Sequence, residues 1–251
     1  MLVLLACLAL ARCAVAQGAG AQTGMPLPTG VHIKFDSAES PKDVSTALKI
    51  VILLTALSLA PSAVMMTTSF MRIIIVFGLL KRALGTQQAP PGSVIGAMSL
   101  FLTIFIMMPV WQAINTDAIQ PYLAEQMTYQ EAWRRGTMPL RQFMGQQTGE
   151  SEMALFVEVS KIETPKTLDD VPMQTLIPAF MISELKTAFQ MGFLIYLPFL
   201  VIDLVIASSL MSLGMMMLPP MMISLPIKIL FFVLADGWTL VVRGILTSFS
   251  L

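Results

Sequence analysis

Three long apolar stretches, separated by polar ones, set the plan of the chain. The first runs from Ala47 to Leu80, is interrupted by Pro61 and carries Arg72. It is long for a single span of about 20 residues, so it predicts a kinked helix or a helical hairpin. Lys81 and Arg82 close it, and Gly85, Pro90, Pro91 and Gly92 supply the turn that follows. The second stretch, Ser93 to Asn115, has no charge and carries Trp111 near its end. That is the pattern of a spanning helix with an interfacial aromatic. Gly92 and Gly96 at its start form a G-x-x-x-G pair, which permits close helix packing but is a weak signal alone. The third stretch, Ile182 to Leu251, has Asp203, Lys228 and Asp236 embedded in it. Pro219 and Pro220 divide it into helical segments over 184–211 and 221–247.

The polar segments complete the plan. Residues 1–16 read as a secretory signal, with an apolar run from Leu2 to Ala11 and an A-x-A site at Ala14-Val15-Ala16. An uncleaved anchor is the alternative, because no Lys or Arg precedes the apolar run and Arg12 follows it. Residues 17–46, rich in Gly, Pro, Thr and Ser, read as a flexible periplasmic arm. Residues 47–115 form the N-terminal hydrophobic helices. Residues 116–178 are charged throughout, with acids in excess, and predict a helical region outside the membrane with breaks at Pro139, Pro165 and Pro172. Residues 179–251 form the C-terminal hydrophobic helices with a methionine-rich loop. The pattern predicts an all-α, membrane-associated fold with three or four spanning elements. The positive-inside rule puts Lys81 and Arg82 in the cytoplasm and region 116–178 in the periplasm, the side to which a signal would deliver the arm.

Composition sharpens this. Of the 251 residues 56% are hydrophobic and 12% charged, with a mean hydropathy of +0.77, whereas soluble domains are about 25% charged. A net charge of +0 leaves no basic surplus for nucleic acid. Cys7 and Cys13 would leave with the signal, so the remainder has His32 alone and no thiol. Disulfides, thiolate metal sites and clustered histidine sites go with them, and no cofactor is expected. H-E-x-x-H and P-loop motifs are absent, no histidine follows His32 to serve a serine nucleophile, and neither Asp203 nor Asp236 sits in a glycine-flanked aspartate motif. An enzyme is not expected. The embedded charges Arg72, Asp203, Lys228 and Asp236, with Glu184 and Lys186 at the edge of the third stretch, need partners in an apolar setting. They serve either as pairs between neighbouring helices or as an ion relay. Methionine is abundant, 21 residues, and clusters at Met211, Met215, Met216, Met217, Met221 and Met222 around Gly214 and Pro219-Pro220. Flexible thioethers on a turn suit a deformable seal, and they suit ordinary core or lipid-facing positions equally well.

The run LIPAFMISELKTAFQMGFLIYLPFLVIDLVIASSLMSLGMMMLPPMMISLPIKILFFVLADGW from Leu176, and MMTTSFMRIIIVFGLLKRALGTQQAPP upstream, resemble the FliP family. The resemblance covers residues 45–248. It implies kinked hairpins that stack into a helical oligomeric pore, a subunit of the flagellar export gate in the bacterial inner membrane. The implied partners are further copies of the chain, five in the usual arrangement, with FliQ and FliR, and then FlhB and FlhA. The cargo would be unfolded flagellar proteins, and much of the assembly would lie on the periplasmic side. A related family, SctR, serves injectisomes; a signal and an N-terminal extension fit the flagellar branch better. The family's methionine gasket falls on Met215, Met216 and Met217. Glu184 and Lys228 fall where the family places charges important for assembly, and they are expected to pair between adjacent subunits. Phe143 and Phe156 are expected to support subunit contacts. A secondary transporter using Asp203 and Asp236 is a rival reading, but the inverted repeats it would show are not visible. A scaffold without a lumen is another.

Overall fold

The computed structural model describes residues 41–86, 89–162, 165, 167–215 and 219–249. The signal, most of the arm, and Met216 and Met217 therefore lie outside the described residues. All regular structure among the described residues is helical. The elements are α1 (Pro41–Thr67), α2 (Phe70–Ala83), α3 (Gly92–Ile114), α4 (Gln120–Leu123), α5 (Tyr129–Gln147), α6 (Glu150–Val159), α7 (Met173–Ser212), α8 (Pro220–Leu234) and α9 (Gly237–Ser248). A π-helical turn, Asn115–Ile119, joins α3 to α4, and a 3-10 turn, Leu168–Asp170, precedes α7. The chain divides into two compact units, residues 1–52 and 53–251. The described part of the first is helical from Pro41, so helix begins inside what the sequence reads as arm. Proline is well suited to that first helical position, where its missing N–H has no partner to lose.

The first apolar stretch breaks at Thr68-Ser69, not at Pro61, which lies inside α1. The Thr68 hydroxyl donates to Val64 O at 2.8 Å, turning a side chain back onto the helix at that break. Side chains of α1 from Leu48 to Met66 are almost all exposed. By contrast α2 buries Arg72, Ile73, Val76, Phe77, Leu80 and Ala83, a stripe at helical spacing. That stripe packs chiefly on α7, whose own buried stripe includes Leu176, Ala179, Phe180, Glu184, Ala188 and Gly192. The approach is close: a Cβ at Gly192 would lie 2.1 Å from Leu79 Cδ1 and 3.0 Å from Leu79 Cβ. On α3, the buried Ser99 and Thr103 satisfy their hydroxyls on carbonyls one turn back, at 2.8 and 2.7 Å.

Pro109, Pro139, Pro178, Pro198 and Pro226 all lie within helices. The expected break at Pro139 is absent, because α5 runs through it. The expected boundary at 178/179 falls inside the 40-residue α7. A helix held by packing on its neighbours tolerates the loss of one backbone bond. The expected segment 221–247 is two helices, α8 and α9, bent by 65° at Ala235-Asp236. Three helical stretches, Leu48–Thr67, Gly92–Leu123 and Met173–Ser212, are long and apolar enough to cross a membrane, and α8 with α9 makes a fourth if the bent pair counts as one. The core closes with aromatic pairs: Phe143 on Phe180 at 6.1 Å, Phe143 on Phe249 at 6.3 Å, and Phe232 on Trp238 at 5.4 Å.

Candidate functional site

The embedded charges resolve into two junctions, one exposed carboxylate, and Lys186 paired with Glu152. At the first junction Arg72 of α2, 2% exposed, meets Glu184 of α7, which is fully buried. The contact is bidentate: Arg72 Nε donates to Glu184 Oε2 at 2.9 Å, and Nη2 donates to Oε1. Nη2 also donates to Gln147 Oε1 at 3.2 Å, and Nη1 donates to both the carbonyl and the hydroxyl oxygen of Ser248 at 3.0 Å. The Phe249 ring stacks on the guanidinium, its centroid 3.9 Å from Cζ. Four elements, α2, α5, α7 and the end of α9, thus share one buried cation.

The second junction joins α2, α7 and α8. Lys228 of α8, 5% exposed, donates to Asp203 Oδ2 at 2.6 Å and to Ala83 O at 3.1 Å. The ammonium therefore neutralises a carboxylate and caps a free carbonyl at the C-terminal end of α2, where the helix dipole favours a cation. The second carboxylate oxygen of Asp203 is inaccessible and has no hydrogen-bond partner among the described residues.

Within one chain Glu184 pairs with Arg72 and Lys228 with Asp203, whereas the expected Glu184–Lys228 pair is one between adjacent subunits. Glu184 and Asp203 stand about 28 Å apart along α7 at 1.5 Å of rise per residue, so Glu184 and Lys228 belong to different clusters. Each is already neutralised inside one chain. Asp236 joins neither junction: it is exposed, at φ 49°, in the turn between α8 and α9. Phe143 is interior, 6% exposed, and Phe156 is half-buried on α6. Sequence reasoning missed Gln147, Ser248 and Phe249, whose polar or aromatic character carries no local pattern. It also missed Glu152 of α6, which accepts from Lys186 of α7 at 2.8 Å and from Ser151 at 2.8 Å; these bonds hold its carboxyl below the usual range where it lies outside the candidate spans.

The described methionines of the cluster flank the end of α7 and the start of α8. Gly214 takes the left-handed conformation at φ 73°, its N–H bonded to Met211 O at 3.1 Å, while Met215 N–H reaches Leu210 O at 3.0 Å. That is a Schellman ending, and the glycine is what admits it. The turn leaves Met211, Met215, Met221 and Met222 exposed, Met215 at 49%. The apolar faces that run away from it are also uncovered: Phe193, Leu204 and Val205 on α7, and Leu230, Phe231 and Leu234 on α8.

A model of the FliP family matches residues 53–245, from within α1 to near the end of α9. Proteins named flagellar biosynthetic protein FliP are similar over most of their length. The one from Bacillus subtilis is 48% identical over 217 residues, 86% of this chain and 98% of its own. The one from Caulobacter vibrioides is 52% identical over 203 residues, covering 81% of this chain and 76% of its own. The one from Aquifex aeolicus is 47% identical over 206 residues, covering 81% and 86%.

Proposed function

The chain belongs to the FliP family, and from that membership we propose that it is a pore-forming subunit of the flagellar protein export gate. It conducts unfolded flagellar subunits across the bacterial inner membrane. The observation that carries this reading is the uncovered apolar surface of α7 and α8 meeting at the exposed methionine turn. A single chain in water would not leave so large an apolar area open, so neighbouring chains or lipid must cover it. Copies of the chain, five of them stacked helically with FliQ and FliR and then FlhB and FlhA, would bring several such turns together. Met215, with Met216 and Met217, would then line a flexible constriction that closes around varied cargo and reseals. Burial of helices against neighbouring subunits would allow much of the assembly to stand on the periplasmic side. The names of the relatives support the flagellar branch over the injectisome branch.

The test is a deletion strain carrying plasmid-borne variants. Loss of flagellin and hook protein from the medium, restored by the intact gene, is expected. Replacing Met215, Met216 and Met217 together with Ala is expected to keep export and raise small-molecule leakage. Leakage identical to that of the intact gene would favour a scaffold without a lumen; normal export in the deletion strain would remove the flagellar reading.

A further inference from the structure

A guanidinium carries five N–H donors and no acceptor. At Arg72 all of them are used: one on Glu184 Oε2, one on Glu184 Oε1, one on Gln147 Oε1 and two on Ser248. The last two, and the aromatic cover from Phe249, come from a single short segment at the end of α9. Without that segment both Nη1 donors of a 2%-exposed cation would lose their partners, and an unpaired buried donor on a charged group is among the costlier defects a fold can carry. Phe249 is itself 2% exposed and stacks on Phe143 of α5, so the same segment seals the junction apolarly as well as polarly.

We propose that Ser248 and Phe249 form a latch: their docking on Arg72 is what closes the α2–α5–α7 junction, and α9 is in turn held by Arg72. Ser248, Phe249 and Gln147 act as positioning residues for the Arg72–Glu184 pair. The three packed helices reach their native arrangement only when α9, the last described helix, has docked. This is a property of one chain and stands independently of the export reading.

Amide hydrogen exchange on the full chain in detergent tests it, because exchange reports local opening element by element. Replacing Ser248→Ala together with Phe249→Ala is expected to speed exchange about tenfold around Glu184 in α7 and at the Gln147 end of α5. Amides of α3, which supplies no group to the junction, should keep their rates. Arg72→Lys, which retains the charge but has fewer donors, is expected to speed exchange in the last turn of α9. Acceleration confined to the junction and, reciprocally, to α9 supports the latch. Unchanged rates at α5 and α7 in the first variant, unchanged rates in α9 in the second, or equal acceleration across α3, would each overturn it.

Discussion

At the residue scale, Arg72–Glu184 and Lys228–Asp203 decide how the embedded charges are tolerated. Breaking a buried pair from one side leaves an uncompensated ion, so Glu184→Ala is expected to cost about 3–5 kcal/mol. Denaturant unfolding of a mutant set checks the partnership. Glu184→Ala and Arg72→Ala should be strongly non-additive, whereas Glu184→Ala and Lys228→Ala should add, being in separate clusters. A surface charge behaves differently. Glu131, in the first turn of α5, accepts from Arg134 at 2.9 Å and from Arg135 at 2.8 Å, and these partners lower its carboxyl from 4.5 to about 2. A folded pKa below the unfolded one means the contribution is complete above about pH 4.5 and is lost as pH falls toward 2. The first turn of α5 should therefore fray over that window, followed by amide exchange, and Glu131→Gln should remove the dependence. Arg72, Glu184, Asp203 and Lys228 were legible as embedded charges that must be neutralised. Their pairing was not, because nothing local says that Glu184 faces α2 and Asp203 faces α8.

At the element scale, helix existence followed from apolar patterning and helix ends from turn chemistry. Gly214 and Pro219-Pro220 stop α7 and start α8 as their backbone preferences require. Internal prolines were poorer guides: Pro61 and Pro139 sit inside continuous helices, and the break between α1 and α2 falls instead at Thr68-Ser69. A proline removes one backbone bond, and packing or an apolar environment decides whether the helix yields. The α2–α7 contact depends on the missing side chain at Gly192. Gly192→Ala is expected to destabilise the fold by about 1–3 kcal/mol, since Leu79 Cβ is anchored to its backbone and cannot swing clear. Thermal unfolding of the single variant, and partial recovery by Leu79→Ala, measures this.

At the scale of the whole molecule, the uncovered faces of α7 and α8 bear on association. Leu204 is 61% exposed in the chain. Leu204→Glu is expected to change the stability of the isolated chain by about 0.5 kcal/mol or less, as exposed substitutions usually do. It should nevertheless reduce the oligomer recovered by size exclusion with light scattering. An undiminished oligomer would place Leu204 toward lipid. The sequence by itself determined the helical class, the three or four candidate spans, the turn at Gly214 and the family, because periodicity, turn residues and long shared motifs are local properties. Only the tertiary structure decided that Glu184 takes Arg72 and Lys228 takes Asp203, and that Ser248 and Phe249 complete a junction begun at residue 72. The physical reason is that a buried ion recruits partners by proximity in space. Residues 72, 147, 184 and 248 lie on different helices, and no short-range pattern records which faces those helices turn toward one another.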